Sequence, residues 1–164
     1  MKQGIELYIH GAGTTEEKLV SVPEDATVKE LIDVVKRVGF PDDPNLVLLI
    51  EDEDEPLELS ARLRDCGVKN KHHLSCHTCR KIAVTVSFNG VLNERKFPPS
   101  RKVKGVLKWA LSELGLTGAD AENKELRIGG VDGIVLQSQQ HIGSFVKGSC
   151  DLHLFLTAVV EVNG

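Results

Sequence analysis

The fold is decided by the stretch KIAVTVSFNGVLNERKFPPSRKVKGVLKWALSELG, which spans residues 81–115. Its first part, residues 82–88, alternates apolar and polar side chains, which indicates a half-buried strand. Asn89-Gly90 then favours a two-residue hairpin turn, after which residues 91–97 return as a second strand. Beyond a pair of prolines, apolar side chains recur three and four residues apart, which predicts an amphipathic helix. The local plan is therefore a hairpin followed by one helix.

The first half of the chain carries the same plan. Residues 5–10 alternate at period 2, a glycine-containing turn follows, and residues 18–22 resume as a strand. The next helix is expected to begin at Val28, because Thr27 and Glu30 stand three residues apart as in a capping box. Its apolar residues again form one stripe.

The ends of both helices and the strands that follow them are also signalled. Gly39 and Gly115 suit the position just past a helix end, and Ser100 is the expected N-cap of the second helix. In the first half we then predict a strand at residues 46–50, an edge strand at 57–59 and a last strand through Leu74. In the second half we predict a strand at 126–128 and a closing strand at 151–156.

Equivalent positions in the two halves are separated by a nearly constant number of residues. The separation is 78 residues from Leu74 to Leu152 and 75 residues from Val28 to Val103. Such offsets are typical of tandem domains. We therefore predict an α+β protein with one domain in residues 1–79 and a second in residues 80–158. The alternative is a single α+β domain of 164 residues.

Composition excludes several classes of protein. The chain is 41% hydrophobic and 27% charged, with a formal net charge of -4, so neither nucleic acid nor a membrane is an expected partner. No apolar run reaches the roughly 20 residues that span a bilayer. The first residues show no apolar segment of a secretion signal, so we expect a cytoplasmic protein. In that reducing compartment, the four cysteines are expected to be free thiols.

The order of elements in each half resembles the β-grasp fold of ubiquitin. Residues 63–74 resemble the segment that leads into ubiquitin's last strand, and residues 151–156 resemble that strand itself. Residues 80–90, with Phe97-Pro-Pro99 and Lys108-Trp109-Ala110, look like bacterial multi-ubiquitin proteins. The nearest layout is that of the BilA-like two-domain modifiers of bacterial antiphage conjugation operons, which resemble the interferon-induced tandem modifier of animals. The resemblance implies two tandem β-grasp (ubiquitin-like) domains.

The same resemblance implies a substrate of conjugation that is not an enzyme and needs no cofactor of its own. An E1-like enzyme would activate the carboxylate of Gly164 with ATP, and an E2-like enzyme would carry it as a thioester to an amine of a target such as a phage structural protein. A deubiquitinase-like metallopeptidase would remove it. Residues 159–164 would be the tail presented to these partners, with Val160, Glu161, Val162 and Asn163 ahead of Gly164. Glycine suits the reacting end because it has no Cβ to block the enzyme channel.

Several residues depart from the ubiquitin pattern. Asn163 precedes Gly164 where ubiquitin has a glycine pair, and Thr157 stands where ubiquitin has an arginine. Arg127 takes the place of an outward isoleucine on ubiquitin's third strand, whereas His153 matches an outward histidine. Dedicated partners are therefore expected, and Arg127 and His153 form the candidate partner surface.

Two other functional classes remain open. A ubiquitin-like adaptor would bind partners through its sheet faces without being conjugated. A sulfur carrier would end in a thiocarboxylate, although such carriers are usually single domains with a paired-glycine tail.

The cysteines and histidines offer a competing interpretation. Cys76 and Cys79 form a C-x-x-C beside three histidines, which are His72, His73 and His77. A structural zinc commonly needs a second such pair, whereas Cys66 and Cys150 are isolated. Cys76 is therefore expected in the core, and we predict no metal site. His10 and His141 stand singly, and the acidic run at residues 51–55 is expected to be a solvated loop.

Overall fold

The computed structural model describes residues 4–12 and 16–159. Within them the chain forms two sheets, each packed over its own hydrophobic core. Two separate cores are not what the alternative of a single α+β domain would give. The domain boundary that we placed between residues 79 and 80 stays a prediction.

The first sheet has four strands in the order β2-β1-β4-β3. Its elements are β1 (Gly4–Gly11), β2 (Glu17–Pro23), α1 (Val28–Arg37), β3 (Val47–Ile50) and β4 (His73–His77), with a 3-10 turn at Leu63–Cys66. Strands β1 and β4 are parallel, whereas β1 with β2 and β3 with β4 are antiparallel.

The second sheet has five strands in the order β6-β5-β9-β7-β8. Its elements are β5 (Ile82–Phe88), β6 (Val91–Phe97), α2 (Val103–Glu113), α3 (Ala119–Glu122), β7 (Lys124–Ile128), β8 (Ile134–Val135) and β9 (Asp151–Ala158), with a 3-10 turn at Ile142–Phe145. Its closing strand β9 is parallel to β5, just as β4 is parallel to β1. A hairpin, a covering helix and a last strand parallel to the first are the β-grasp arrangement that we predicted.

The start of α1 agrees with the sequence. The Thr27 side chain accepts the Glu30 N–H, and the Glu30 carboxylate accepts the Thr27 N–H, so the capping box is complete. The helix ends where Gly39 adopts a φ of 113°, which disfavours any residue with a Cβ. Asn89 and Gly90 both have positive φ, as a hairpin turn of this kind needs.

Two local predictions are wrong. The N-cap of α2 is Lys102 and not Ser100, because the first helical N–H groups, of Val103 and Lys104, donate to backbone carbonyls of Gln140 and Ser138. With its first donors already satisfied, the helix needs no side-chain cap. Residues 57–59 form no strand in the first sheet: the Leu57 N–H donates to the Leu48 carbonyl, but the Leu59 carbonyl accepts the Lys29 N–H at the start of α1.

The expectation of four free thiols is also wrong. Cys79 and Cys150 form a disulfide with their Cα atoms 5.8 Å apart, because the end of the first unit lies beside the start of β9. Cys76 is 1% exposed in the first core, as predicted, and burial raises the pKa of its thiol to about 12. The two cysteines of the C-x-x-C thus pack in different cores, so they form neither a zinc knuckle nor a redox pair.

No helix among the described residues is long and apolar enough to cross a membrane.

Candidate functional site

The candidate partner surface lies on the outer face of the second sheet. Along β9 the side chains of Leu152, Leu154 and Leu156 enter the core, so His153 and Phe155 point away from it. The His153 ring stacks on Phe155 with centroids 4.6 Å apart, and its Nε2 lies 2.6 Å from the Ser87 Oγ. These two contacts fix the orientation of the exposed imidazole.

Arg127 reaches the same face from the neighbouring strand, where it pairs with Phe155. Its guanidinium donates to the Glu125 carboxylate at 2.7 Å and to the Gly133 carbonyl at 3.2 Å, and its side chain is only 17% exposed. The charge of Arg127 is therefore balanced within the protein, and its planar head is held in place. The structure places Arg127 opposite Phe155 on the neighbouring strand and His153 against the same ring, and their role as a partner surface stays a prediction.

The sequence interpretation missed two apolar members of this surface. The alternating pattern of the closing strand puts Phe155 on the same face as His153, which stands two residues before it, so the sequence does carry a signal for Phe155. Leu92 lies opposite Ser87 in the β5–β6 pairing, so it faces the same side, and it is 64% exposed. We call Leu92, Arg127, His153 and Phe155 the outer face of the second sheet.

The chain leaves the second domain at the end of β9. The Val159 N–H donates to the Asn123 carbonyl at 2.6 Å, and the Val159 side chain is exposed. The predicted tail residues Val160, Glu161, Val162 and Asn163 and the predicted conjugation residue Gly164 lie outside the described residues.

Part of the corresponding face of the first sheet, along β3 and the end of β4, is covered. Val47, Leu49, Ser75 and His77 point away from the first core, yet each is less than 9% exposed. The second domain contacts this face, because the His77 ring lies beside carbonyl oxygens of the 3-10 turn at Ile142–Phe145 and the residue after it. The part of the first sheet's outer face formed by these four residues is therefore closed to a partner, whereas Leu92 and His153 on the second sheet are exposed.

The contacts of His77 specify one neutral form of its ring. Nδ1 accepts the Cys79 N–H at 2.9 Å, and Nε2 lies 3.2 Å from the carbonyl oxygens of both Gly143 and Val146. The ring proton must therefore be on Nε2, where it is shared between the two carbonyls. Burial lowers the pKa of His77, although the bonds to Val146 and Gly143 oppose that shift.

The acidic run is an exposed loop at residues 52–55, as expected, and it also contacts the second domain. The Ser100 Oγ donates to the Glu53 carbonyl at 3.1 Å, and the Arg101 guanidinium donates to the Asp54 carboxylate at 2.8 Å. Lys102 forms an ion pair with Glu51. Burial raises the pKa of Glu51, but Lys102 and His141 outweigh it and leave that pKa below its usual value.

Three histidines that lie far apart in the sequence meet beside this loop. The His10 and His141 rings have centroids 4.3 Å apart, and those of His10 and His73 are 5.2 Å apart. Burial and the neighbouring His141 and His73 lower the pKa of His10 to about 4, which leaves its imidazole neutral. We had interpreted His10 and His141 as isolated, because strand register and the pairing of two domains cannot be read from spacing.

Comparison with known proteins identifies the second domain. Residues 83–158 match the family described as BilA ubiquitin-like domain 2. A chain from the structure described as "Molecular Mimicry of SUMO promotes DNA repair" is 23% identical, with a TM-score of 0.40, over 46% of this chain and 91% of that one. No curated protein matches. The family match confirms the predicted ubiquitin-like fold for the second domain, whose residues 83–158 are similar to BilA ubiquitin-like domain 2.

Proposed function

We propose that this protein is a ubiquitin-like modifier that becomes joined to other proteins through Gly164, in the cytoplasm of a bacterium and in defence against phage. The observation that supports the proposal is the match of residues 83–158 to a BilA ubiquitin-like domain. In that domain β9 ends at Ala158, and the proposed tail follows it directly in the sequence.

The proposed chemistry activates a carboxylate that is otherwise unreactive. The Gly164 carboxylate attacks the α-phosphate of ATP within a dedicated E1-like enzyme, forming an acyl adenylate and releasing pyrophosphate. A cysteine thiolate of the enzyme then displaces AMP, and the resulting thioester exchanges onto a cysteine of an E2-like enzyme. A neutral amine of the target attacks the thioester, which forms the amide bond and breaks the C–S bond, and the proton lost by the amine leaves the departing sulfur as a thiol.

We propose that these enzymes approach the outer face of the second sheet. An apolar centre edged by polar groups is the usual form of a protein interface, and Phe155 and Leu92 lie here beside Arg127 and His153. On the first sheet, the outward side chains of Val47, Leu49, Ser75 and His77 are buried and cannot form the same contact. A deubiquitinase-like metallopeptidase that releases the modifier would contact the same surface and the tail.

Intact-mass spectrometry tests this proposal. The purified full chain is incubated with ATP, its E1-like partner and hydroxylamine, which attacks an activated carboxylate and forms a hydroxamate. We expect a mass gain that fragmentation places at Gly164, and no gain without ATP. The matched variant Gly164→Ala should slow the reaction strongly, because its methyl group enters the channel.

Two outcomes would favour an adaptor over a modifier. One is the absence of hydroxamate with an E1-like enzyme that is shown to be active. The other is a chain whose function survives a bulky C-terminal fusion. A sulfur carrier would instead yield a thiocarboxylate, which has a distinct mass.

A further inference from the structure

A cluster of two imidazoles and one carboxylate lies on the outer face of the first sheet. His10 on β1 pairs directly with Glu17 on β2. His73 on β4 stands opposite Tyr8, two residues before His10 on the same face of β1. Backbone pairing of three adjacent strands therefore holds the three side chains together.

The donor atoms of this cluster form a compact triangle. The His10 Nε2 lies 2.9 Å from the His73 Nδ1 and 3.3 Å from the Glu17 Oε2, and the His73 Nδ1 lies 3.5 Å from the same oxygen. Zinc binds nitrogen and oxygen ligands at about 2.0–2.2 Å in a tetrahedron, whose edges are then about 3.3–3.6 Å long. The triangle thus has nearly the dimensions of one face of a zinc coordination tetrahedron.

The surroundings fix two of the three side chains. The Tyr8 ring stacks on His73 with centroids 4.8 Å apart, and the His141 ring of the second domain covers His10. The side chain of His10 is 13% exposed, whereas those of His73 and Glu17 are 38% and 42% exposed. An ion could therefore enter from the solvent side, where a water molecule would complete its coordination.

We propose that His10 Nε2, His73 Nδ1 and the Glu17 carboxylate bind one Zn²⁺ ion, with water as the fourth ligand. Two imidazoles and one carboxylate favour zinc over magnesium or calcium, which prefer ligand sets made of oxygen. The bound ion would tie β1, β2 and β4 together beside the second domain. Zinc binding would therefore raise the melting temperature of the folded chain.

The test uses the full chain without affinity tags, freed of metal by a chelator and then titrated with Zn²⁺ in a calorimeter. We expect one saturable site and a higher melting temperature in zinc. Glu17→Gln and His73→Gln should each weaken binding at least about tenfold, since each removes a ligand. The control His153→Gln removes an exposed imidazole from the other domain and should bind zinc as the natural chain does.

Two further measurements keep the result interpretable. The chelated variants should stay folded and melt close to the chelated natural chain, because the substituted side chains are 38% and 42% exposed and lie outside the core. Co²⁺ in place of Zn²⁺ should give d–d absorption without a thiolate charge-transfer band. A thiolate band, equal affinity in both variants, or no saturable binding by the natural chain would overturn the proposal.

Discussion

The His77 Nε2 lies 3.2 Å from the carbonyl oxygen of Gly143, and this contact joins the outer face of the first sheet to the second domain. The Nδ1 of the same ring accepts the Cys79 N–H. Both ring nitrogens therefore form hydrogen bonds. Nδ1 bonds to the backbone just after β4, and Nε2 bonds to the second domain. A ring in this position links the stability of the junction to the protonation of one imidazole.

Gly143→Ala should destabilise the junction. A Cβ at this position would lie 2.8 Å from the Pro99 Cβ, 2.9 Å from the Pro99 carbonyl oxygen and 3.1 Å from the His77 Cδ2. Because backbone and ring must shift to admit it, we expect a loss of about 1–3 kcal/mol in the free energy of unfolding. Urea unfolding measures this loss. In the control Gly4→Ala, the new Cβ meets only the Val22 oxygen at 3.7 Å, so little change is expected.

Stability should fall as the pH drops below about 6.5, the ordinary pKa of histidine. The pKa of His77 is lowered in the folded state, so below that pH the unfolded chain takes up a proton that the folded chain does not. Folding is therefore most favoured above the unfolded pKa, and the advantage is lost as the pH falls toward the folded pKa.

The measurement is urea unfolding between about pH 7.5 and pH 5, in the presence of a chelator. The pKa values of His10 and His141 are lowered too, so they contribute a slope of the same sign. His77→Gln should consequently reduce the pH dependence without abolishing it. A variant with the same pH dependence as the natural chain would show that His77 is not a source of the effect.

Removing the disulfide should also cost stability. Cys79 and Cys150 are 71 residues apart in sequence, so their bond restricts a long loop of the unfolded chain. We expect Cys79→Ser with Cys150→Ser to lower the free energy of unfolding by about 2–5 kcal/mol. Reductant should lower the melting temperature of the natural chain but not that of the double variant. Cys66→Ser changes a half-buried free thiol and should leave the effect of reductant unchanged.

The sequence predicted the elements that depend on neighbouring residues. It did not predict the contacts between segments that are distant in the chain. The capping box of α1 and the turn at Asn89-Gly90 follow from neighbouring residues, and both are present. Ser100 has a good capping side chain, yet contacts with the acidic loop of the other domain determine its role. The contact between His10 and His141 likewise depends on how the two halves of the chain pack together.

Alanine at Phe155 should weaken activation by the E1-like enzyme more than it weakens the fold. Its ring supports His153 and lies between Arg127 and Leu92 on an exposed face, so its loss removes the apolar centre of the proposed contact. We expect the rate of hydroxamate formation at subsaturating modifier to fall at least about tenfold, as for an interface residue that contributes more than about 1.4 kcal/mol. The control Leu59→Ala removes an apolar side chain that is 53% exposed on the first domain, and it should react as the natural chain does. Equal rates for both variants, with unchanged melting temperatures, would show that the enzyme binds the protein elsewhere. The remaining candidate would then be the tail itself, and swapping the tail onto another ubiquitin-like domain would transfer the activity.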